Sequence, residues 1–442
     1  MGLFIILIAA VAVVGLRRPG VLIGFTFCIF GLQQALRAHS DWLAAHYMLI
    51  NYCDGGLNLL GIAAAFARQR LTLRSMPRVA WLVYGLLLYA LLSWFWSVSR
   101  QDTLERYALA APSLTAIAIL MPLVICKARD LQDAVYTVLI LGCPVLLSML
   151  GANWTGRSLE FDTWAAAGQA AGNPLAVASV AGYIAIAATL MNYRGLARIW
   201  QPLRWAIVIL AILIIFKSAS RGQLFACLLA VIALLPVSRR LSKASGLVGT
   251  AVGLFLLSLV ASVLFAHVAA LQGGRWDWTT MFQTYEGGRV DTSLTVLKAW
   301  VHAGPLRWLI GLGSSGSFAV IGFYPHMVPA EVLAELGLVG AGLYGAVLYL
   351  TIRSLRRMWP RFADFPEARG ILAVWGAIFV FEFILGCKQG SMIGQPFFFA
   401  AVILIGRLER MVGTTQPARQ EVPTQMAKLP GERHQTVGAS LR

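Results

Sequence analysis

Long apolar runs, separated by short basic clusters, are the feature that most limits how this chain can fold. The runs are long enough, or nearly so, to cross about 30 Å of hydrocarbon as helices. They cover residues 2–16, 20–37, 47–67, 78–98, 104–126, 131–152, 174–193, 203–219, 221–238, 244–266, 330–352, 368–387 and 391–407. Because a helix satisfies its own backbone in lipid, this pattern predicts an all-α, polytopic membrane helix bundle with 12 or 13 transmembrane helices.

The predicted number of helices is 12 or 13 because the first run can be a membrane segment or a signal peptide. It ends at Arg17-Arg18 and has no small-residue cleavage pattern. We therefore interpret residues 2–16 as a membrane segment rather than as a cleaved signal peptide.

Composition supports a membrane protein and excludes several other classes. Of the 442 residues, 59% are hydrophobic and 12% are charged, which is about half the charged fraction of a soluble domain. The net charge of +17 does not indicate nucleic-acid binding, because lysine and arginine lie in short clusters between apolar runs. The six cysteines form no Cys-X-X-Cys motif, so neither a zinc site nor a disulfide framework is indicated.

The basic clusters also predict the orientation of the chain. They follow alternate apolar runs, and positively charged connections favour the cytoplasmic side. The clusters lie at residues 17–18, 68–78, 127–129, 194–204, 239–243 and 353–361. The other connections are then outside, so Arg221, Arg289, His326 and Lys388 are predicted to share the non-cytoplasmic side.

Three regions follow from this organisation. Residues 1–170 are predicted to be N-terminal transmembrane helices, and residues 171–410 a membrane domain that carries the candidate site. This second region includes a polar, helical outer loop at 267–329. Residues 411–442 are polar, with scattered proline, glutamine and threonine, and are predicted to be a disordered cytoplasmic tail.

Arg289 is the first candidate for chemistry. It follows Gly287-Gly288 and precedes a segment with apolar residues at Val290, Leu294, Leu297 and Val301, a spacing that predicts an amphipathic helix. A helix start already favours anions, and arginine adds a permanently charged, two-pronged donor that fits a diphosphate. The alternative is a solvated arginine that caps a loop.

Arg221, His326, Tyr324 and Lys388 complete the candidate set. Arg221 lies between two apolar runs, where a charge is often functional, although it also could reach the lipid headgroups. His326 follows Pro325, opens the next membrane helix, and can be neutral near pH 7 and accept a proton; the alternative is a structural histidine bonded to a carbonyl. Tyr324 and Lys388 are further candidates for substrate binding, with an interfacial aromatic belt as the alternative for Tyr324.

Several short motifs occur in a fixed order between Gly172 and Gly340. They are Gly172-Asn173-Pro174, Ser220-Arg221-Gly222, Gly288-Arg289 with Trp300, Pro305, Gly311-Leu312-Gly313, Pro325-His326 and Glu335-Leu336-Gly337-Leu338-Val339-Gly340. Their order and spacing resemble the O-antigen ligase and O-antigen polymerase superfamily of bacterial integral-membrane glycosyltransferases. The family pattern usually reads Pro-His-Asn, whereas this chain has Met327 after the histidine.

The resemblance implies a metal-independent transfer reaction on the periplasmic side of the bacterial inner membrane. A glycan linked to undecaprenyl diphosphate would move onto a sugar hydroxyl. The acceptor is lipid A–core for a ligase and another lipid-linked repeat for a polymerase, and the sequence leaves both open. Arg221 and Arg289 would stabilise the leaving diphosphate and His326 would act as the base. No cofactor and no metal are expected, because the outer loop has no carboxylate cluster for Mg²⁺.

Two other functional classes remain open from the sequence. A transporter or flippase of lipid-linked oligosaccharide would use ionisable residues within the membrane, for which Asp54 and Glu382 are candidates. A non-catalytic scaffold of an envelope complex would carry its outer basic residues incidentally. A transporter does not account for a long outer loop that contains both Arg289 and His326.

Overall fold

A computed structural model describes residues 2–68, 76–151, 153–155, 158–160, 173–192, 197–239 and 287–414. The described chain is helical except for one antiparallel hairpin, in which β1 (Asn153–Thr155) pairs with β2 (Ser158–Glu160). Its helices are α1 (Gly2–Arg17), α2 (Gly20–His39), α3 (Asp41–Ala45), α4 (Met48–Ala67), α5 (Arg78–Leu92), α6 (Arg100–Ser113), α7 (Ala128–Ser148), α8 (Pro174–Leu190), α9 (Ala197–Lys217), α10 (Arg221–Ser238), α11 (Gly287–His302), α12 (Pro305–Ile310), α13 (Gly316–Ile321), α14 (Val328–Arg361), α15 (Pro366–Lys388) and α16 (Pro396–Thr414).

Short turns of other helical types extend some of these elements. A π-helical stretch, Leu114–Leu120, and a 3₁₀ turn, Met121–Val124, continue α6, which contains Pro112. Further 3₁₀ turns lie at Ser93–Trp96, Met149–Gly151 and Met392–Gly394. A proline inside a helix removes one backbone donor, so irregular winding after Pro112 is expected.

The predicted all-α, multi-pass membrane architecture is confirmed. Eight helices of the described chain are long and apolar enough to cross a membrane, and two shorter apolar helices, Phe4–Arg17 and Pro174–Leu190, accompany them. Twelve predicted spans coincide in position with helices. The predicted span 244–266, the first part of the outer loop and residues 415–442 lie outside the described residues. The tail was predicted to begin at residue 411, but α16 continues to Thr414.

Helices from the two halves of the sequence share one core. Phe27 of α2 contacts Tyr183 of α8 and Trp375 of α15, with both ring-centroid distances at 5.3 Å. The indole of Trp375 also donates to the carbonyl of Leu131 at 3.3 Å. Residues 1–170 therefore pack within the same bundle as the helices that carry the candidate site.

The bundle has two ends that can be told apart by their contacts. At one end Asn192, just after α8, donates to the carbonyls of Ser238 and Pro366, both at 2.9 Å. This end therefore joins the last residue of α10 to the first residue of α15. Because α10 and α15 run in opposite directions, the start of α10 and the end of α15 meet at the other end, here called the site end.

A break in α14 shapes the site end. Gly337 has φ +67 and ψ −165, which interrupts the helix. One turn earlier, the carbonyls of Ala334 and Glu335 accept hydrogen bonds from the backbone of Leu312 and Gly313, at 2.9 and 2.8 Å. A Cβ atom on Gly311 would overlap the backbone of Glu335, so this turn can lie against the broken helix only because residue 311 is a glycine.

Candidate functional site

Arg289 joins the start of α11 to the end of α15. Its guanidinium Nη1 donates to the carbonyl of Lys388 at 2.9 Å. Arg289 is half-buried and lies in the first turn of α11, where backbone N–H groups lack partners within the helix and favour an anion. The helix predicted from the spacing is present, with Arg289 in its first turn as expected.

Lys388 and Arg221 lie on the same side of the bundle as Arg289. A Cβ atom on Gly222 would be 3.1 Å from Cδ of Lys388, so the lysine side chain packs across the first turn of α10, beside Arg221. Arg221 is half-buried as the first residue of α10. Three basic residues from three helix ends therefore lie around the C-terminal end of α15.

His326 lies in a tight turn next to α11 and not in a helix. It was predicted to open the membrane helix, but α14 begins at Val328 and His326 has φ +58, in the left-handed region. The hydroxyl of Ser293 in α11 donates to the carbonyl of Pro325 at 3.1 Å, which fixes this turn against α11. A left-handed conformation at a bulky residue is strained and is often found at functional sites.

The environment of His326 favours its neutral form. Burial of the half-exposed ring lowers the pKa of His326, and the positive charge of Arg289 lowers it further. A neutral imidazole has a ring nitrogen that can accept a proton, whereas imidazolium has none. His326 is thus suited to act as a general base near neutral pH.

Tyr324 connects the histidine turn to α6. Its ring centroid lies 4.3 Å from that of His326, and the guanidinium of Arg106 lies 5.5 Å from the Tyr324 ring centroid. Burial raises the pKa of Tyr324, with the nearby Glu331 carboxylate as a smaller cause in the same direction. Tyr324 is therefore held between a cation and the candidate base, a contact that the sequence did not predict.

Arg106 in α6 is a further residue of the site, which the sequence motifs do not indicate. Its guanidinium forms an ion pair with Glu331 at 3.3 Å, and the two side chains are only 14% and 5% exposed. A second nitrogen donates to the hydroxyl of Ser315 at 3.1 Å. The signal was available, because a charged residue within an apolar span is costly and requires a partner.

Glu331 and Glu335 link α14 to the turns around the site. Glu331 also accepts from the backbone N–H of Met392 at 2.9 Å, and so ties the start of α14 to the turn after α15. Glu335 accepts from the backbone of Ser315 at 2.7 Å and from the Ser317 hydroxyl. Both carboxylates are 3% exposed and engaged in structural contacts, so neither is placed to act as a free base.

The exposed face of α11 is its apolar face. Val290, Leu294 and Val301 of the predicted apolar face are 50%, 47% and 49% exposed, whereas Ser293 and Val296 are 3% and 0% exposed. The spacing predicts an amphipathic helix without indicating which face is buried, and the structure places the apolar face outward. This inverted pattern is typical of a helix that borders lipid.

The next short helix continues this apolar surface. In α12, Leu306 is 69% exposed and Leu309 is 50% exposed. The indole of Trp308 donates to the carbonyl of Val301 at 2.7 Å, which joins the two helices. We refer to Val290, Leu294, Val301, Leu306 and Leu309 as the apolar ridge; it begins one residue after Arg289.

The remaining predictions concern metal ligands and membrane carboxylates. Among the residues that the structure describes, no group of three or more His, Cys, Asp or Glu side chains could hold a metal ion. Asp54 is 3% exposed and accepts from the Thr26 hydroxyl at 2.6 Å; Glu382 is 6% exposed and accepts from the Tyr183 hydroxyl at 2.6 Å. Each carboxyl group therefore has a local structural partner.

Comparison with known proteins does not assign the chain to a family. No protein-family model matches it, and no curated protein matches it. The resemblance of the motifs to the O-antigen ligase and polymerase superfamily therefore remains a prediction, which rests on the residues quoted for it.

Proposed function

We propose that this protein transfers a glycan from undecaprenyl diphosphate onto a sugar hydroxyl at the periplasmic face of the bacterial inner membrane. The observation that carries the proposal is the pairing of Arg289 with His326. One residue supplies a fixed positive charge at a helix start, and that charge helps to keep the other neutral. Transfer from a diphosphate needs this combination of a cation and a base.

The proposed reaction needs no metal to balance its charges. His326 accepts the proton of the acceptor hydroxyl as its oxygen attacks the anomeric carbon of the donor sugar. The bond between that carbon and the diphosphate oxygen breaks, and the electron pair leaves with the diphosphate. Arg289 and Arg221 stabilise the developing charge, and Lys388, which packs beside Arg221, adds a third cation.

The apolar ridge supports a lipid-linked donor over a soluble sugar nucleotide. It begins directly beside Arg289 and leaves large apolar side chains exposed on α11 and α12. A polyprenyl chain can lie along this surface while its diphosphate reaches Arg289. The apolar chain then contacts apolar side chains, and the anionic diphosphate contacts a cation.

Arg106 has a supporting role in this proposal. Its guanidinium lies over the Tyr324 ring, which in turn packs on His326. The ion pair with Glu331 fixes Arg106. We assign Arg106 as a positioning residue that holds the histidine turn through Tyr324.

The acceptor is a sugar hydroxyl of lipid A–core or of another lipid-linked repeat, as a ligase or a polymerase would use. A transport function would move the same donor without breaking a covalent bond. The deciding experiment gives purified protein in lipid nanodiscs a radiolabelled undecaprenyl-diphosphate glycan together with each acceptor. We expect labelled glycan on one acceptor and release of undecaprenyl diphosphate.

Two outcomes would contradict this proposal. If the protein moves labelled donor across proteoliposomes while the donor stays covalently intact with both acceptors, it is a transporter. If EDTA abolishes transfer and Mg²⁺ restores it, the metal-independent mechanism is wrong, because the cations of the site would then be insufficient for the leaving group.

A further inference from the structure

A cavity of about 1050 Å³ lies at the end of the bundle away from His326. Its walls come from the start of α7, the end of α14, the start of α15 and the end of α16, together with Arg18 between α1 and α2. The hydrogen bonds from Asn192 place the start of α15 at this end. The basic clusters of the sequence predict that this end faces the cytoplasm.

Three arginines line the cavity: Arg18, Arg129 and Arg361. All three are exposed, and within the described part of the chain none of their guanidinium groups donates a hydrogen bond or forms an ion pair. Asp133 and Glu367 also line the cavity. Three positive charges against two negative ones leave the lining with one positive charge, which favours a ligand with a single negative charge.

Apart from Gln132 and Tyr136, which hydrogen-bond to each other at 2.8 Å, the rest of the lining is apolar. Phe362, Phe365, Ile371, Leu408 and Val412 form this part of the wall. Phe365 is 63% exposed, whereas Leu408 is 2% exposed at the base of the wall. A small soluble anion would leave the exposed Phe365 in contact with water, whereas an amphiphile covers it and presents its charge to the arginines.

We propose that this cavity binds a singly charged anionic phospholipid of the cytoplasmic leaflet. The headgroup phosphate accepts hydrogen bonds from Arg18, Arg129 and Arg361, whose positive charges attract it. An acyl chain covers Phe365 and Val412. Basic cavities between membrane helices on the cytoplasmic side are suited to such headgroups. This proposal does not depend on glycan transfer.

The test is a lipid titration of delipidated, full-length protein, with bound lipid counted by native mass spectrometry. The probes are phosphatidylglycerol, phosphatidylethanolamine and inorganic phosphate. We expect phosphatidylglycerol to bind at least about tenfold more tightly than phosphatidylethanolamine, because the ethanolamine ammonium cancels the phosphate charge. Inorganic phosphate should not compete, because it cannot cover the apolar wall.

Two matched variants distinguish lipid binding in the cavity from lipid attraction by positive charge elsewhere on the surface. The cavity variant carries Arg18→Gln, Arg129→Gln and Arg361→Gln, and the control carries Arg78→Gln, Arg353→Gln and Arg356→Gln. The control positions are exposed and outside the cavity lining. We expect the cavity variant to lose at least about tenfold in phosphatidylglycerol affinity, while the control stays within about twofold.

A steric variant gives a second test of the cavity in case the charge variant does not fold. Ala368→Trp places a large side chain in the cavity lining without removing a charge, and it should also weaken phosphatidylglycerol binding at least about tenfold. Equal losses in the cavity and control variants would overturn the proposal, as would unchanged binding in Ala368→Trp. Tighter binding of phosphatidylethanolamine, or competition by inorganic phosphate, would likewise overturn it.

Discussion

The two ends of the bundle use arginine in opposite ways. At the site end, Arg106 is held by Glu331 and Ser315, and Arg289 by the Lys388 carbonyl. Around the cavity at the other end, the guanidinium groups of Arg18 and Arg361 make no hydrogen bond or ion pair with the residues that the structure describes.

From this difference we infer that the arrangement of each side chain matters at the site end, whereas positive charge alone suffices around the cavity. A developing negative charge is best stabilised by donors that are already in place before the reaction. A lipid headgroup needs attraction but tolerates several arrangements, so exposed arginines without a fixed partner in the described chain serve it well. We therefore expect the site end to be sensitive to the shape of each side chain and the cavity end to be sensitive mainly to charge.

The largest expected effect is on stability and comes from Arg106→Leu. This substitution leaves Glu331 buried without its cation, so we expect the free energy of unfolding to fall by about 3–5 kcal/mol. The control is Arg357→Leu, which removes a solvent-exposed pair with Glu409 at 3.6 Å and should change stability by about 0–1 kcal/mol.

Unfolding in mixed micelles would measure both variants. The double variant Arg106→Leu with Glu331→Leu should recover much of the loss, because no buried charge then remains unpaired. Equal stability of Arg106→Leu and Arg357→Leu would mean that the buried network does not hold the site end together.

His326→Ala should have the next largest effect. Loss of the general base is expected to lower the transfer rate on the order of 10²-fold or more, while donor binding persists because the arginines hold the diphosphate. The control is His302→Ala, since His302 is exposed and bonds only to the Lys298 carbonyl in its own helix. Loss of donor binding in His326→Ala would reassign the histidine to the binding of the diphosphate.

The substitution Arg289→Lys tests whether the site needs the shape of the guanidinium or only its positive charge. The lysine keeps the charge but loses the two-pronged donor, so we expect transfer to fall by about tenfold or more. Arg221→Lys should act in the same direction. At the other end, Arg361→Lys should leave phosphatidylglycerol binding within about twofold, and if Arg289→Lys proves equally mild in the transfer assay, the two ends do not differ as we infer.

The pH dependence of transfer should shift in Arg289→Gln. The charge of Arg289 lowers the pKa of His326, and the base is active only when it is neutral, at pH values above that pKa. Removal of the charge lets the pKa rise, so the acid limb of the kcat/KM profile should move to higher pH. Lys298→Gln on the same helix should leave the limb in place; an unmoved limb in both variants would exclude electrostatic coupling.

The smallest effect is expected from cysteine substitutions that report orientation. Asp291→Cys at the site end and Arg353→Cys towards the other end replace exposed residues and should leave transfer almost unchanged. An impermeant thiol reagent added to intact spheroplasts should label the first position and not the second. Labelling of the second position alone would invert the predicted orientation.

The sequence predicted the helices better than it predicted their faces. Apolar length identifies a membrane helix directly, so twelve spans match described helices in position. The spacing of Val290, Leu294 and Val301 correctly indicated a helix, but not which side is buried. In water the apolar face of a helix is the buried one, whereas beside lipid the apolar face turns outward. The sequence alone does not show whether a helix borders water or lipid.

The candidate site was predicted only in part, because some of its contacts form only in the folded protein. Arg221 and His326 stand out because each lies at or near the edge of an apolar run, and Arg289 because it precedes an amphipathic segment in the outer loop. Arg106 does not, because its partner Glu331 lies 225 residues away and only the fold brings the two together. The left-handed backbone of His326 likewise depends on the packing of Ser293 against Pro325.

The long-range contacts of the site have a consequence for biosynthesis. Arg289 bonds to a carbonyl 99 residues later in the chain, and Glu331 bonds to a backbone donor 61 residues later. A ribosome must therefore release the turn after α15 before Arg289 and Glu331 can find these partners. Membrane insertion of the earlier helices can be complete by then, so we expect chains stopped before α15 to be inserted but to lack an assembled site.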